Sequence, residues 1–306
     1  MPLSDDLRAE LAAINPSREC DRLAELSGLF HTAGSIHLRG RGGVSVHLDL
    51  GASAVARRAF TLLRGFDVEA EIRHYRRRAF DRATRYQIHV EGGPRALQVL
   101  HEAGVVGASL APLEAPPRRV VAKPCCRGAY LRGALLGAGS VSGPPSPHLE
   151  VRFAVRSGAE FAAAVAAAEG IRIGVAERGD HAVVYAKGAE AIEGVLAAAG
   201  AGDLVLTLEE RAVMAATRGE ANRLANADHA NLVRSGKAAH EQLEAVRLLK
   251  SRGELERLSP RLREVAELRQ AHPSHSLREL GLKCRPPITK ATAHGRLRRL
   301  QRLAAD

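Results

Sequence analysis

The last quarter of the chain carries a run of basic residues whose side chains could bind phosphate groups. Between Lys283 and Arg302 there are seven Lys or Arg residues and no acidic residue. The longer stretch from Arg234 to Asp306 holds 17 basic and 8 acidic residues, and it therefore contributes +9 to the net charge of +11. Cations that cluster in one segment are typical of proteins that bind nucleic acid.

The cysteines and histidines are the other residues that could do chemistry, as metal ligands. Cys125 and Cys126 are adjacent, whereas Cys20 and Cys284 are distant in sequence, and this spacing matches no common zinc site. We therefore expect reduced thiols, no metal site and no cofactor. Four histidines have no cluster of acids or cysteines around them and are expected on surfaces or strand faces: His31, His37, His47 and His148.

Three short helices are predicted around the basic run, over 256–306. Ser259 and Pro260 are the residue types favoured at the cap and the first position of a helix. Ser274 or Ser276 caps a short second helix, which Gly281 is expected to end. A third helix follows a turn with two prolines. Three helices in this order predict a helix-turn-helix, a unit that binds the DNA major groove.

The third helix, 290–303, is expected to enter the groove. Thr289 caps it, and a stripe of apolar residues would pack it against the other two helices: Ala293, Leu297, Leu300 and Ala304. Gly295 would let the backbone of a DNA strand approach closely. The predicted DNA contacts of the helix-turn-helix, 275–306, are Ser276, Arg285, Thr289, Lys290, Thr292, His294, Arg296, Arg298, Arg299 and Arg302.

The first 207 residues predict one order of elements twice. Each half has the pattern helix, β-hairpin, helix, β-hairpin, helix, and a Pro-rich joint at 111–117 separates the halves. A repeat of this length indicates two fused copies of one domain, related by a pseudo-twofold axis. The expected domains are 1–110 for the first repeat with its N-terminal segment, 118–207 for the second repeat, 208–255 for a helical linker and 256–306 for the helix-turn-helix.

The linker contains an unusual density of polar residues. The segment 209–255 predicts one or two helices. Its polar residues favour caps and turns that break a long helix, and the alternative is that they contact the other domain or DNA. They are Asn222, Arg223, Asn226, Asp228 and Asn231.

The helices that open the two repeats carry matching segments, LSGLFHTAG at 26–34 and LRGALLGAG at 131–139. Both resemble the LAGLIDADG motif of homing endonucleases. In that family the motif helices pack through small residues, here Gly28 and Gly133, and the sheets that follow saddle the DNA. The resemblance implies secondary DNA contacts from a group of arginines: Arg39, Arg41, Arg73, Arg76, Arg77, Arg78, Arg82 and Arg85. It remains equally open that this domain binds a protein or only supports the fold.

The chain departs from the endonucleases at the residues that cleavage needs. The penultimate motif residue of that family is an acid that binds the divalent metal, and here the two positions are Ala33 and Ala138. Phosphodiester cleavage needs carboxylates to hold the cations, and alanine cannot ligate them. Asp49 and Glu150 lie on nearby strands but not at the required place. We therefore expect that the protein is not an enzyme.

Nearly the whole chain resembles the WhiA-type sporulation transcription factors, in which a degenerate LAGLIDADG domain precedes a helix-turn-helix. The most specific segments are 133–153, 221–239 and 258–281. The expected fold class is α+β, a duplicated αββαββα LAGLIDADG-like domain followed by an all-α helix-turn-helix domain. The resemblance implies a sequence-specific regulator of sporulation and cell-division genes in an actinobacterium, with promoter DNA and a WhiB-type iron–sulfur regulator as partners.

Two other functions stay open. A LAGLIDADG-type endonuclease with displaced acids would cleave DNA in the presence of Mg²⁺. A sigma-like factor would contact RNA polymerase, because 274–303 also resembles the promoter-reading helices of sigma factors. The sequence has no long uncharged apolar run and no signal-peptide pattern, so we expect no membrane partner and a cytoplasmic, nucleoid-associated protein.

Overall fold

A computed structural model describes residues 3–39, 43–76 and 83–306. The chain divides into two compact units, unit 1 (residues 1–215) and unit 2 (residues 216–306). Within the described residues, no helix combines the length and the apolar character that crossing a membrane requires.

Unit 1 contains the predicted order of elements twice, so the α+β fold class is confirmed. The first repeat comprises α2 (Glu19–Ala33), β1 (Gly34–Arg39), β2 (Gly43–Leu50), α3 (Ser53–Arg64), β3 (Glu71–Arg76), β4 (Thr84–Glu91) and α4 (Pro94–Glu102). The second repeat comprises α5 (Pro124–Ala138), β5 (Gly139–Ser142), β6 (His148–Phe153), α6 (Arg156–Ala168), β7 (Gly174–Arg178), β8 (His181–Lys187) and α7 (Ala189–Ala199).

An additional helix, α1 (Leu3–Ala13), precedes the first repeat and was not predicted. It buries Leu7 and Leu11 completely in the core of unit 1. The Ser4 hydroxyl donates to the carbonyl of Val141 at 3.1 Å, so α1 also reaches the second repeat. The N-terminal segment is therefore part of the unit 1 core.

Each repeat forms a four-stranded antiparallel sheet. The strand orders are β1-β2-β4-β3 and β5-β6-β8-β7. Strand β2 alternates as its sequence predicts, because Val46, Leu48 and Leu50 are fully buried on one face. By strand register, two of the arginines that were candidates for DNA contact, Arg73 and Arg85, lie on the other face of the sheet, together with Asp49.

Helices α2 and α5 pack at backbone contact through two glycines. A Cβ added to Gly28 would lie 2.6 Å from the backbone nitrogen of Ala134 and even closer to the Tyr130 carbonyl oxygen. One added to Gly133 would lie 2.9 Å from the carbonyl carbon of Glu25. Gly28 and Gly133 hold equivalent motif positions, as do Tyr130 and Glu25, so these contacts obey the predicted pseudo-symmetry. The role that the resemblance implied for the two glycines is confirmed.

A buried ionic cluster lies beside this contact. Glu25 is 0% exposed, and the Arg58 guanidinium donates to both its carboxylate oxygens, at 2.7 and 3.0 Å. The Arg132 guanidinium lies 3.0 Å from the same carboxylate and also donates to the carbonyl of Ala199 at 3.2 Å. Because a buried charge is costly unless its hydrogen bonds are satisfied, the three side chains must pack as one group.

The remaining helices are α8 (Gly202–Ser251), α9 (Pro260–Ala271), α10 (Leu277–Lys283) and α11 (Lys290–Ala305). Helix α8 is continuous, so the interpretation that its polar cluster breaks the helix is wrong: Asn222, Arg223, Asn226, Asp228 and Asn231 all lie exposed within it. The C-terminal turns of α8 pack in unit 2, where Val246 and Leu249 join the core formed by α9, α10 and α11.

We predict that Gly133→Ala destabilises unit 1 by about 1–3 kcal/mol, because the added methyl group overlaps the Glu25 backbone. All four tyrosines lie in unit 1, so denaturant unfolding followed by tyrosine fluorescence reports this unit alone. Gly202→Ala is the matched control, because nothing lies within 4 Å of its added Cβ. Equal unfolding midpoints for the two variants would contradict the close contact.

Candidate nucleic-acid interface

The second helix of the helix-turn-helix begins at a capping box formed by Ser276 and Glu279. The Glu279 backbone nitrogen donates to the Ser276 hydroxyl at 3.3 Å, and the Ser276 backbone nitrogen donates to the Glu279 carboxylate at 2.7 Å. These hydrogen bonds to Ser276 lower the pKa of Glu279, first through the backbone and then through the side chain. Ser276, rather than Ser274, is therefore the cap.

The prediction that Gly281 ends this helix is wrong, because α10 continues to Lys283. Gly281 instead allows a close approach of the following loop. The Ile288 nitrogen donates to the Gly281 carbonyl at 2.9 Å, and a Cβ on Gly281 would lie 2.5 Å from the Ile288 carbonyl oxygen. The glycine is needed for packing rather than for termination.

A buried arginine fixes the turn between α9 and α10. Arg269 is 2% exposed and donates to the carbonyl oxygens of Pro273 at 3.2 Å and His275 at 2.7 Å. Burial lowers the pKa of its guanidinium. These bonds satisfy backbone groups that the turn leaves without helical partners, so they orient α10 relative to α9.

Helix α11 separates an apolar stripe from a basic exposed face. Thr289 caps it by accepting from the Thr292 backbone nitrogen at 3.2 Å, as predicted. The predicted stripe is also confirmed, since Ala293, Leu297, Leu300 and Ala304 are buried. The exposed arc holds most of the predicted DNA contacts: Lys290, Thr292, His294, Arg298, Arg299 and Arg302.

The other predicted contacts of the helix-turn-helix have different surroundings. The Arg285 side chain is exposed in the turn, and its backbone nitrogen donates to Glu264 at 2.6 Å. The Arg296 side chain is 18% exposed and lies 3.9 Å from the Glu264 carboxylate. Ser276 and Thr289 use their hydroxyls as caps. Arg296, Ser276 and Thr289 are thus less available to DNA than the exposed arc.

Gly295 is exposed on α11 and belongs to the same arc. An added Cβ would meet nothing within 4 Å, so the packing of unit 2 does not require a glycine here. Glycine inside a helix costs about 1 kcal/mol relative to alanine. Gly295 therefore lowers the stability of α11, although no contact within the protein requires a glycine at this position.

In the first repeat, two predicted arginines pair with acids on their own sheet. The Arg85 Nε lies 2.8 Å from the Asp49 carboxylate, and Arg73 lies 2.7 Å from Glu71. Their charge is partly neutralised, which weakens the case for phosphate contacts from this face. Arg76 is exposed. The predictions for Arg41, Arg77, Arg78, Arg82 and the side chain of Arg39 lie outside the described residues.

The ends of the two motif helices carry no acid that could bind a cation. Helices α2 and α5 end at Ala33 and Ala138, and a Cβ on Gly137 would lie 3.4 Å from the Ala33 Cβ, so the helix ends are adjacent. The acids on the nearby strands, Asp49 and Glu150, are hydrogen-bonded or ion-paired to other side chains of unit 1. Asp49 accepts from Tyr75 at 2.5 Å as well as from Arg85, and Glu150 lies 3.2 Å from Arg178.

The fold brings together three cysteines that the sequence spacing separates. The thiols of Cys20, Cys125 and Cys126 and the carboxylate of Asp21 all lie within 4.8 Å of one another. Cys20 is near the start of α2, and the adjacent pair is at the start of α5. Spacing along the chain could not reveal this cluster, because the packing of α2 on α5 creates it.

Three family models match most of the chain. The model of the WhiA N-terminal LAGLIDADG-like domain matches residues 19–106, and the model of the WhiA LAGLIDADG-like domain matches residues 127–218. The model of the WhiA C-terminal HTH domain matches residues 221–304, and this match includes the second half of α8. The recognition made from the sequence is thereby confirmed.

Similar full-length proteins bear the name "Probable cell division protein WhiA". One from Symbiobacterium thermophilum is 36% identical, with 97% of this chain and 96% of the relative covered. One from Heliobacterium modesticaldum is 35% identical, with 99% and 96% covered. These relatives are not actinobacterial, so the family is wider than the actinobacterial source that the resemblance implied.

Two solved structures share the fold. The full-length DUF199/WhiA of Thermatoga maritima has a TM-score of 0.58 and 23% identity, and the match covers 100% of this chain and 98% of that one. The N-terminal LAGLIDADG domain of DUF199/WhiA has a TM-score of 0.52 and 18% identity, over 64% of this chain and 89% of that one. Both support the arrangement of the two repeats.

We predict that Ser276→Ala weakens α10 by about 1 kcal/mol, because the Glu279 nitrogen loses its acceptor. Amide hydrogen exchange across 277–283 in the full chain should then be roughly fivefold faster. Ser274→Ala is the control, since that serine is exposed and precedes the box. If both variants exchange at the same rate, the capping box does not hold this helix.

Proposed function

The chain belongs to the WhiA family, and from this premise we propose that it is a sequence-specific DNA-binding regulator of transcription that acts on sporulation and cell-division genes. The observation that carries the proposal is the exposed basic arc of α11, in a segment without a single acidic residue from 283 to 302. The name of the relatives supports the link to cell division. The link to sporulation rests on the family resemblance alone.

Each part of α11 has a distinct role in this proposal. Lys290, Thr292 and His294 lie at the N-terminal end, which in helix-turn-helix proteins faces the base edges. Three arginines one to two turns later would bind the flanking phosphates, which fix position without reading sequence: Arg298, Arg299 and Arg302. Capping by Thr289 fixes where the helix begins and therefore where these side chains project.

We propose that unit 1 has no nuclease activity. Ala33 and Ala138 leave the ends of the motif helices without ligands, and Asp49 and Glu150 are held by arginines. Two-metal cleavage needs free carboxylates a few ångströms apart. Since Arg73 and Arg85 are paired with acids, we favour a role for unit 1 in binding a protein rather than DNA.

We propose that the proteins bound by unit 1 are a WhiB-type iron–sulfur regulator and RNA polymerase. The competing sigma-like function differs in requiring RNA polymerase for any stable DNA binding. Promoter DNA is the proposed target of unit 2, and the cytoplasm, at the nucleoid, is the proposed location.

The test is duplex binding by fluorescence anisotropy with promoter fragments, over a range of salt concentrations, with and without Mg²⁺. Replacing both Arg298 and Arg299 with Ala should lower the affinity and flatten the salt dependence by about one unit per lost phosphate contact. Replacing both Arg247 and Lys250 with Ala removes the same charge from the exposed surface of α8 and is the control. Equal losses in both would refute a specific role for α11.

The same samples, analysed on a gel, distinguish the alternatives. Intact DNA with Mg²⁺ supports a regulator, and cleaved DNA supports the nuclease. Binding that appears only after RNA polymerase is added supports the sigma-like factor.

Gly295→Ala tests whether the exposed arc touches DNA closely. The added methyl group should stabilise α11 by about 1 kcal/mol, because nothing in the protein clashes with it. In the complex it would project toward DNA and should lower the affinity. Thermal unfolding and anisotropy on the same variant check both effects. A more stable variant with unchanged affinity would place this face away from the DNA.

A further inference from the structure

The packing of α2 on α5 brings together three thiols and one carboxylate, all potential metal ligands, at the N-terminal ends of both helices. Cys20 and Asp21 come from the first turn of α2, and Cys125 and Cys126 from the first turn of α5. Their ligand atoms all lie within 4.8 Å of one another. We propose that these four residues form a binding site for a thiophilic divalent cation, with Zn²⁺ as the best match.

The distances suit tetrahedral coordination. Zinc–sulfur bonds of 2.3 Å at tetrahedral angles separate the sulfur atoms by about 3.8 Å. The Sγ atoms of Cys125 and Cys126 are 3.9 Å apart, and the Cys20 Sγ lies 3.6 Å from the Asp21 carboxylate. Small side-chain rotations would bring the remaining atoms to the same spacing. Three thiolates and one carboxylate complete a four-coordinate site.

Two helix N-termini and an arginine lie near the cluster. Its four residues occupy the first turns of α2 and α5, where the positive end of each helix dipole lies. The Arg18 guanidinium lies beside the cluster, within hydrogen-bond reach of Cys125. A cation bound by four anionic ligands leaves excess negative charge, which Arg18 would offset.

A route to the cluster exists. A cavity of about 500 Å³ lies beside it, lined in part by Cys20 and Cys126 and by the basic residues Arg119 and Lys123. Cys20 and Cys125 are half-buried, whereas Cys126 is 3% exposed. The site is therefore open to a cation on one side and protected on the other.

A metal site explains the cluster better than a reactive disulfide pair does. A disulfide would use only two of the three thiols and leave the carboxylate without a role.

The bound cation would link the first turns of α2 and α5, the two helices whose contact forms the centre of unit 1. Ligands from both repeats would then be held together by metal–ligand bonds as well as by packing. Removing the cation should destabilise unit 1, because binding to the folded state alone adds to its stability.

The experiment uses the reduced full-length chain, freed of metal by a chelator and titrated with Co²⁺, which reports thiolate ligands by a charge-transfer absorption band. One equivalent should saturate the band, and Zn²⁺ should abolish it by displacement. Cys20→Ser and Cys125→Ser should each weaken binding at least tenfold. Cys284→Ser is the matched control and should bind as the unchanged chain does, because Cys284 lies in unit 2.

Zinc should also raise the unfolding midpoint of unit 1 in the unchanged chain, again followed by tyrosine fluorescence, and should not do so in Cys20→Ser. The proposal is overturned if Co²⁺ gives no thiolate band with the unchanged chain. It is equally overturned if Cys284→Ser loses the band while Cys20→Ser keeps it. A disulfide between Cys20 and Cys126 in a chain that binds no cation would identify a redox pair instead.

Discussion

Unit 1 depends on the backbone contact between α2 and α5. Two glycines allow the helices to approach until the backbone of one touches the other, and the buried Glu25, held by Arg58 and Arg132, lies at this contact. Neither glycine can be replaced by a larger residue without moving a helix, because an added Cβ would overlap the backbone of the other helix. This contact determines where the two sheets, the adjacent helix ends and the cysteine cluster lie.

The geometry of the motif helices also bears on the regulatory function that we propose. The ends of α2 and α5 are adjacent, as cleavage would need, but they present alanines. The nearby acids, Asp49 and Glu150, pair with arginines on the sheet faces. The exposed basic arc of α11 lies in unit 2. The motif helices thus pack at backbone contact without presenting free carboxylates, and the side chains that we propose to bind DNA lie in unit 2.

The sequence predicted those features whose causes are local. Periodicity located both repeats. Thr289 was recognised as a cap and Ser276 as one of two candidates, because a cap bonds within its own turn. Features made by long-range packing were missed. Nothing near Glu25 in sequence indicates Arg58 and Arg132, and Cys20 meets Cys126 only through the helix contact. The continuity of α8 was left open, because short polar residues favour caps yet do not require them.

The ionic cluster has a consequence for how the two repeats assemble. In the alignment of the motif segments, Tyr130 stands where Glu25 stands, and Ser27 where Arg132 stands. The glycine contacts therefore obey the pseudo-twofold axis, whereas the Glu25–Arg132 ion pair has no symmetric counterpart. In an isologous pair of two second repeats, each Arg132 would be buried without a carboxylate, whereas in a pair of two first repeats each Glu25 would keep only Arg58 of its own repeat. At this ion pair each repeat is therefore complementary to the other repeat and not to a second copy of itself.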